Sequence, residues 1–148
     1  MSPLRDQIEK TVQGYLDAFN TNTPDGTIAH RAPDCTHRIV PPSPQFPTRS
    51  NEEYKAFMGP SFQLMKNFHL KLADGEKPII DDVNRRAVLY LTSSAETPLG
   101  PYDNNYVFTL SFSEDGTQIT DVLEFIDTKV TGDFVTKMMA FAAEHAQQ

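Results

Sequence analysis

His37 and Glu124 are the two side chains best suited to chemistry in this chain. In the stretch Ile119-Thr-Asp-Val-Leu-Glu-Phe-Ile-Asp127, counting by twos puts Glu124 on the face shared by Val122 and Ile126, an apolar face with every reason to be buried. A carboxylate there needs a partner or a purpose. An imidazole titrates near pH ~6.5, and desolvation raises the pKa of a carboxylate set in an apolar wall, so the two could exchange a proton near neutrality. That is the equipment of general acid–base catalysis. The competing reading is one buried hydrogen-bonded pair that only fixes a strand.

Other residues could complete such a site. The Tyr15 hydroxyl could donate to an enolate oxygen, or sit satisfied by a carbonyl in the core. Tyr90, Thr92 and Ser94 share one strand face, and Tyr106 and Phe108 share another; both sets are expected to line a cavity for a ring-containing, mostly apolar ligand, unless they are ordinary half-buried strand residues. Asn105, beside Tyr102 and Asp103, is a candidate ligand contact at the mouth, although turn chemistry explains it as readily. Phe57 joins this substrate-binding set from a predicted helix. Asp127 reads as a helix N-cap or a partner for Arg38. His30, His69 and His145 have no convergent carboxylates, so no metal site is expected. The chain has no Gly-rich phosphate loop, no Gly-x-Ser-x-Gly elbow, no Cys/His nucleophile constellation and no dinucleotide fingerprint. An enzyme built on it is expected to work without a cofactor, by acid and base alone.

The elements that must position these residues can be read from periodicity. Residues 86–95, 104–113 and 118–127 alternate in polarity and follow one another as an antiparallel meander, with a hairpin signal at Asp115-Gly116. Thr97-Pro-Leu-Gly-Pro101 is expected to break the pairing between the first two. Leu4, Ile8, Val12, Tyr15, Leu16 and Phe19 fall at helical spacing, which predicts a helix over 4–20. Thr23 and Pro24 propose a short second helix over 24–31, ended by Pro33 and followed by a strand over 35–40. The four prolines in 41–47 make a stiff loop. Ser50 with Glu53 forms a capping box for a third helix reaching about Lys66. Strand segments at 67–77 and 77–82, with a turn at Ala-Asp-Gly75, and a closing helix over 132–146 complete the chain. Helices first and strands later mean α+β, with a sheet curled around the helices into a cone open at one end.

Composition bounds the rest. At 148 residues the chain is expected to be one domain, burying about 70% of its unfolded surface without staples. The single cysteine, Cys35, excludes an internal disulfide framework and a Cys-based zinc site, and fits a reducing, cytoplasmic setting. The N-terminus lacks an apolar signal region, and no run approaches the ~18 apolar residues of a membrane span, so a soluble, unprocessed protein is expected. A net charge of −7 argues against nucleic acid as a partner.

The element order, with a tyrosine in the first helix, a short strand Asp34-Cys-Thr-His-Arg-Ile39 and a final strand ending Glu124-Phe-Ile-Asp127, resembles the nuclear transport factor 2-like superfamily, home of SnoaL-like polyketide cyclases and steroid isomerases. The segment Thr92-Ser-Ser-Ala-Glu-Thr-Pro-Leu-Gly-Pro-Tyr-Asp-Asn-Asn-Tyr-Val-Phe108 is similar to SnoaL-like proteins of fungal secondary-metabolite clusters, among them meroterpenoid isomerases and cyclases. The resemblance implies a cone-shaped α+β barrel over nearly the whole chain. It matches Tyr15 to the substrate-holding tyrosine of the steroid isomerases but puts Ile39 where they carry their catalytic aspartate, which excludes proton abstraction from that position. It also implies that His37 faces the pocket and that Tyr106, Phe108, Val122 and Glu124 form its wall. Two functions stay open: a cofactor-independent isomerase or cyclase (a lyase is a variant) of an oxygenated polycyclic or polyketide-like metabolite, or a non-catalytic small-molecule-binding or dimerisation module. Either way a homodimer through the exposed sheet face is expected.

Overall fold

The computed structural model describes residues 2–146. Helix α1 (Pro3–Phe19) starts where Ser2 accepts the Arg5 N–H at 3.0 Å and Pro3 takes the first turn. Its apolar stripe, Ile8, Val12, Tyr15, Leu16 and Phe19, is buried throughout. The predicted second helix shrinks to a 3₁₀ turn, Asp25–Ile28, and strand β1 (Arg31–Val40) begins four residues earlier than the sequence pattern suggests. Tertiary pairing overrides local preference here. His30, at φ 65°, swings the chain round, the Ile119 N–H donates to the His30 carbonyl at 2.8 Å, and Arg31 pairs with Ile119.

The third predicted helix is split at Gly59-Pro60 into α2 (Asn51–Met58) and a single turn, α3 (Ser61–Leu64). Proline removes a helical N–H and crowds the preceding turn, so the helix ends well before Lys66. The capping box of Ser50 and Glu53 is present. Strands β2 (Lys66–Leu72), β3 (Ile79–Asp81), β4 (Arg86–Thr97), β5 (Gly100–Phe112) and β6 (Ile119–Ile126) follow, and α4 (Thr128–His145) closes the chain. Residues 97–101 do not interrupt the meander. Thr97 pairs with Gly100 and Glu96 with Pro101, because Gly100 takes φ 104° and lets two residues complete the turn.

The six strands form one curved, unclosed sheet in the order β1-β6-β5-β4-β2, with β3 also on β4. All pairs are antiparallel except β1–β6, where the chain returns parallel after crossing the helices. The free edge of β2 is covered by asparagine side chains just past α1: Asn20 and Asn22 each exchange two hydrogen bonds, at 2.7–2.8 Å, with the backbone of Leu70 and Phe68. Such amide pairs stand in for a neighbouring strand.

On the concave face, Ala87, Leu89, Leu91, Phe108, Leu110, Ile119 and Val122 share one core with the α1 stripe. The convex face carries an apolar row in register across four strands, Tyr90, Val107, Phe125 and Val40. Tyr90 is 44% and Phe125 53% exposed. Among the described residues, no helix is long and apolar enough to cross a membrane.

Candidate active site

Between the sheet, α2 and α4 lies a cavity of about 110 Å³. Phe46, Phe57, Phe68, Phe108, Ile126 and Phe134 make most of its wall apolar, and Glu124 is the one ionisable carboxyl in that wall. Alternation along β6 puts Glu124 inward with Val122 and Ile126, and it is only 8% exposed. Its Oε1 lies 2.8 Å from His37 Nε2. Among the described residues, nothing hydrogen-bonds its Oε2.

His37 stands behind Glu124 and does not reach the cavity wall. Its ring stacks on Tyr54 at 4.0 Å and 12°, and meets Phe108 edge-on at 6.3 Å. The backbone is held on the other side as well, since the His37 N–H donates to the Arg49 carbonyl at 2.8 Å and the His37 carbonyl accepts the Arg49 N–H at 3.0 Å. Behind the imidazole lies Arg31, whose Nη2 is 3.1 Å from His37 Nδ1 and whose guanidinium covers the Tyr54 ring at 4.6 Å. Among the described residues, Arg31 Nε and Nη1 are buried without a hydrogen-bond partner. Burial, above all, holds the His37 imidazole below its ordinary pKa; Glu124 opposes this, while Arg31 and Arg49 add to it.

That depression sets a pH dependence of stability. Near pH ~6.5 the unfolded chain takes up an imidazole proton that native His37 refuses, so the unfolded state binds more protons and acid favours unfolding. The His37 contribution is complete above that pH and is lost as pH falls from ~6.5 toward the depressed native value. Urea denaturation at about pH 7.5 and 5.5 should show stability falling on acidification, and falling less in His37→Gln. An equal fall in both proteins would contradict the assignment.

The lining of the same cavity holds a second polar group. The Tyr106 hydroxyl lies 2.8 Å from Ser93 Oγ, and Asn104 Nδ2 donates to the Tyr102 hydroxyl at 2.7 Å and to Thr131 Oγ1 of α4 at 2.8 Å. Burial keeps the Tyr102 and Tyr106 phenols above their ordinary range, so both remain protonated donors.

The structure thus brings together Glu124, Tyr106, Phe108 and Phe57 around one cavity, with His37 in contact from behind. It separates the others. Tyr15 is fully buried beneath the site, its hydroxyl 3.5 Å from Arg31 and out of reach of the cavity. Val122 also lies below the cavity. Tyr90 and Thr92 point to the convex face, because Ala87, Leu89, Leu91, Ser93 and Ala95 take the inward positions of β4. Asn105 points outward too, and Asn104 is the inward amide. Asp127 caps α4 by accepting the Lys129 and Val130 N–H groups, and Arg38 pairs with Asp121 instead. Burial pushes the Cys35 thiol up to about 11, far from a reactive thiolate. Among the described residues no three His, Cys, Asp or Glu side chains converge as metal ligands.

Sequence reasoning missed Arg31, Tyr54, Asn104 and the contribution of α4. Period-two counting from Tyr106 and Phe108 would have reached Asn104 and Tyr102. Nothing local marked Arg31, which fell inside the predicted second helix.

A curled, open sheet around a long first helix, with a carboxylate in an otherwise apolar hollow, is the architecture of the nuclear transport factor 2-like superfamily. The chain belongs to its SnoaL-like family of fungal secondary-metabolite proteins. It is 31% identical over 141 residues to a protein of Aspergillus novofumigatus (strain IBT 16806) named monooxygenase nsrQ, across 95% of this chain and 89% of that one. Austinoid biosynthesis clusters protein H of Penicillium brasilianum is 29% identical over 147 residues, 98% of this chain and 100% of its own. Among solved structures, BvnE pinacolase from Penicillium brevicompactum superposes with a TM-score of 0.89 at 35% identity, covering 95% of this chain and 96% of that chain. No protein-family model matches the sequence.

Proposed function

We propose that the protein is an enzyme of secondary metabolism that isomerises or cyclises an oxygenated polycyclic or polyketide-like substrate by acid–base chemistry, without a cofactor. The observation that carries this reading is the Glu124 carboxylate, set in an apolar wall with Oε1 engaged by His37 and Oε2 unengaged. Such a group accepts a proton from carbon beside a carbonyl, the electron pair moves onto the carbonyl oxygen, and a phenol such as Tyr106 donates to the resulting enolate. Return of the proton at another atom, or attack by the enolate carbon within the same molecule, completes an isomerisation or a ring closure. The names pinacolase and austinoid biosynthesis clusters protein among the relatives support a catalytic role in secondary metabolism.

The test uses 5-nitrobenzisoxazole, a small aromatic whose ring opening needs only a base: the C3 proton goes to the base, the N–O bond breaks, and a coloured phenolate nitrile forms. Catalysis well above that of acetate in free solution is expected. A rate no better than acetate would leave the cone as a binding module. Mass spectrometry of small molecules that co-purify with the protein identifies the substrate class.

The same reading includes a homodimer. The row of Tyr90, Val107, Phe125 and Val40 is the apolar surface a second copy would cover. Sedimentation at micromolar concentration is expected to give twice 16.6 kDa, and Phe125→Lys to give 16.6 kDa. A wild-type particle of 16.6 kDa would refute the dimer.

A further inference from the structure

We propose, on the reading that Glu124 is the base, that His37 is a positioning residue: Arg31 fixes its tautomer, and its Nε2–H holds the Glu124 carboxylate aimed into the cavity. A guanidinium has donors and no acceptor, so the ring nitrogen facing Arg31 Nη2 at 3.1 Å must present a lone pair. The imidazole proton is therefore on Nε2, where it donates to Glu124 Oε1 at 2.8 Å. A second proton on Nδ1 would set N–H against N–H and place a positive charge beside Arg31. Nor does the ring offer Glu124 a vacant lone pair, since the nitrogen that faces the carboxylate already carries hydrogen. A proton taken from substrate thus stays on Glu124 until it returns to substrate or passes to water.

The surroundings suit a fixed strut. The ring is clamped by Tyr54 and Phe108, and its backbone is bonded to Arg49. Arg31 is buried, lies against Tyr54, and among the described residues forms no direct ion pair. Guanidinium, imidazole and carboxylate form a line that ends at the cavity, and the unengaged oxygen, Glu124 Oε2, is the one that meets the guest.

Nitrogen-15 NMR of histidine-labelled protein, with the His37 signals assigned by their loss in His37→Gln, is expected to show the Nε2–H tautomer across about pH 5–8. An Nδ1–H tautomer or an imidazolium in that range would overturn the proposal, whatever the catalytic activity. Turnover of 5-nitrobenzisoxazole supplies a second readout. His37→Leu, which gives Glu124 no donor, should lower kcat by about 10–100-fold, the scale of a misplaced catalytic group, and move the acidic limb of the rate profile to higher pH. His37→Gln, whose amide can donate to Glu124 and accept from Arg31, should recover most of that loss. If the glutamine variant is as slow as the leucine one, His37 carries the proton and the proposal fails. If Glu124→Gln keeps the full rate, the assignment of the base fails instead, while the tautomer measurement still decides the role of His37.

Discussion

Replacing Glu124 by Gln lowers turnover of 5-nitrobenzisoxazole by about 10²–10⁴-fold, the range that general acid–base catalysis supplies. The amide has nearly the volume of the carboxyl, so the cavity wall keeps its shape, and its oxygen still accepts the His37 Nε2–H. What it loses is the ability to take a proton. Tyr106 and the aromatic wall of Phe57 and Phe108 are untouched, so binding, read from KM, changes much less than kcat. Retained folding is checked by circular dichroism alongside the kinetics. A variant within about tenfold of wild type would show that the carboxylate is not the base.

The second large effect is on stability. Leu110 is fully buried at the closed end of the cone, in register with Ala87 on β4 and Val122 on β6, and does not line the cavity. Leu110→Ala removes the transfer free energy of the lost methyl groups and leaves a void that the sheet cannot collapse to fill. A cost of about 2–5 kcal/mol is expected. For a chain of this size that lowers Tm by roughly 5–15 °C. Urea titration should move the midpoint without changing the slope, and activity well below the melt should be preserved. A loss under about 1 kcal/mol would mean that this end of the core is loosely packed.

How much of this was legible in the sequence depends on how far each signal reaches. The side-chain period of two is local, so the inward position of Glu124 and the meander from β4 to β6 could be counted along the chain. So could the α1 stripe and the Ser50–Glu53 cap. Period two also divides β4 into two faces, but the hydroxyls and ring of Tyr90, Thr92 and Ser94 drew attention to the face that the core does not use. Leu89 and Leu91 were the better guide. Arg31 was hidden because its strand exists only through pairing with β6, some ninety positions away. The parallel sense of β1 has the same origin. Likewise, Tyr15 could be placed in the core from α1 alone, but its separation from the cavity follows from Arg31 and His37 lying between.

Helix α4 has a further consequence. Of its eighteen residues only Met138 is buried, and it reaches the site through Thr131, Phe134 and Val135, with the Phe134 ring 4.2 Å from Tyr102. The base and its support sit on strands that the whole core depends on, whereas this part of the rim rests on a segment whose side chains contribute little to folding. Substitutions there carry small stability penalties, so drift in the tail can change which molecules are admitted while the reaction performed on them stays the same.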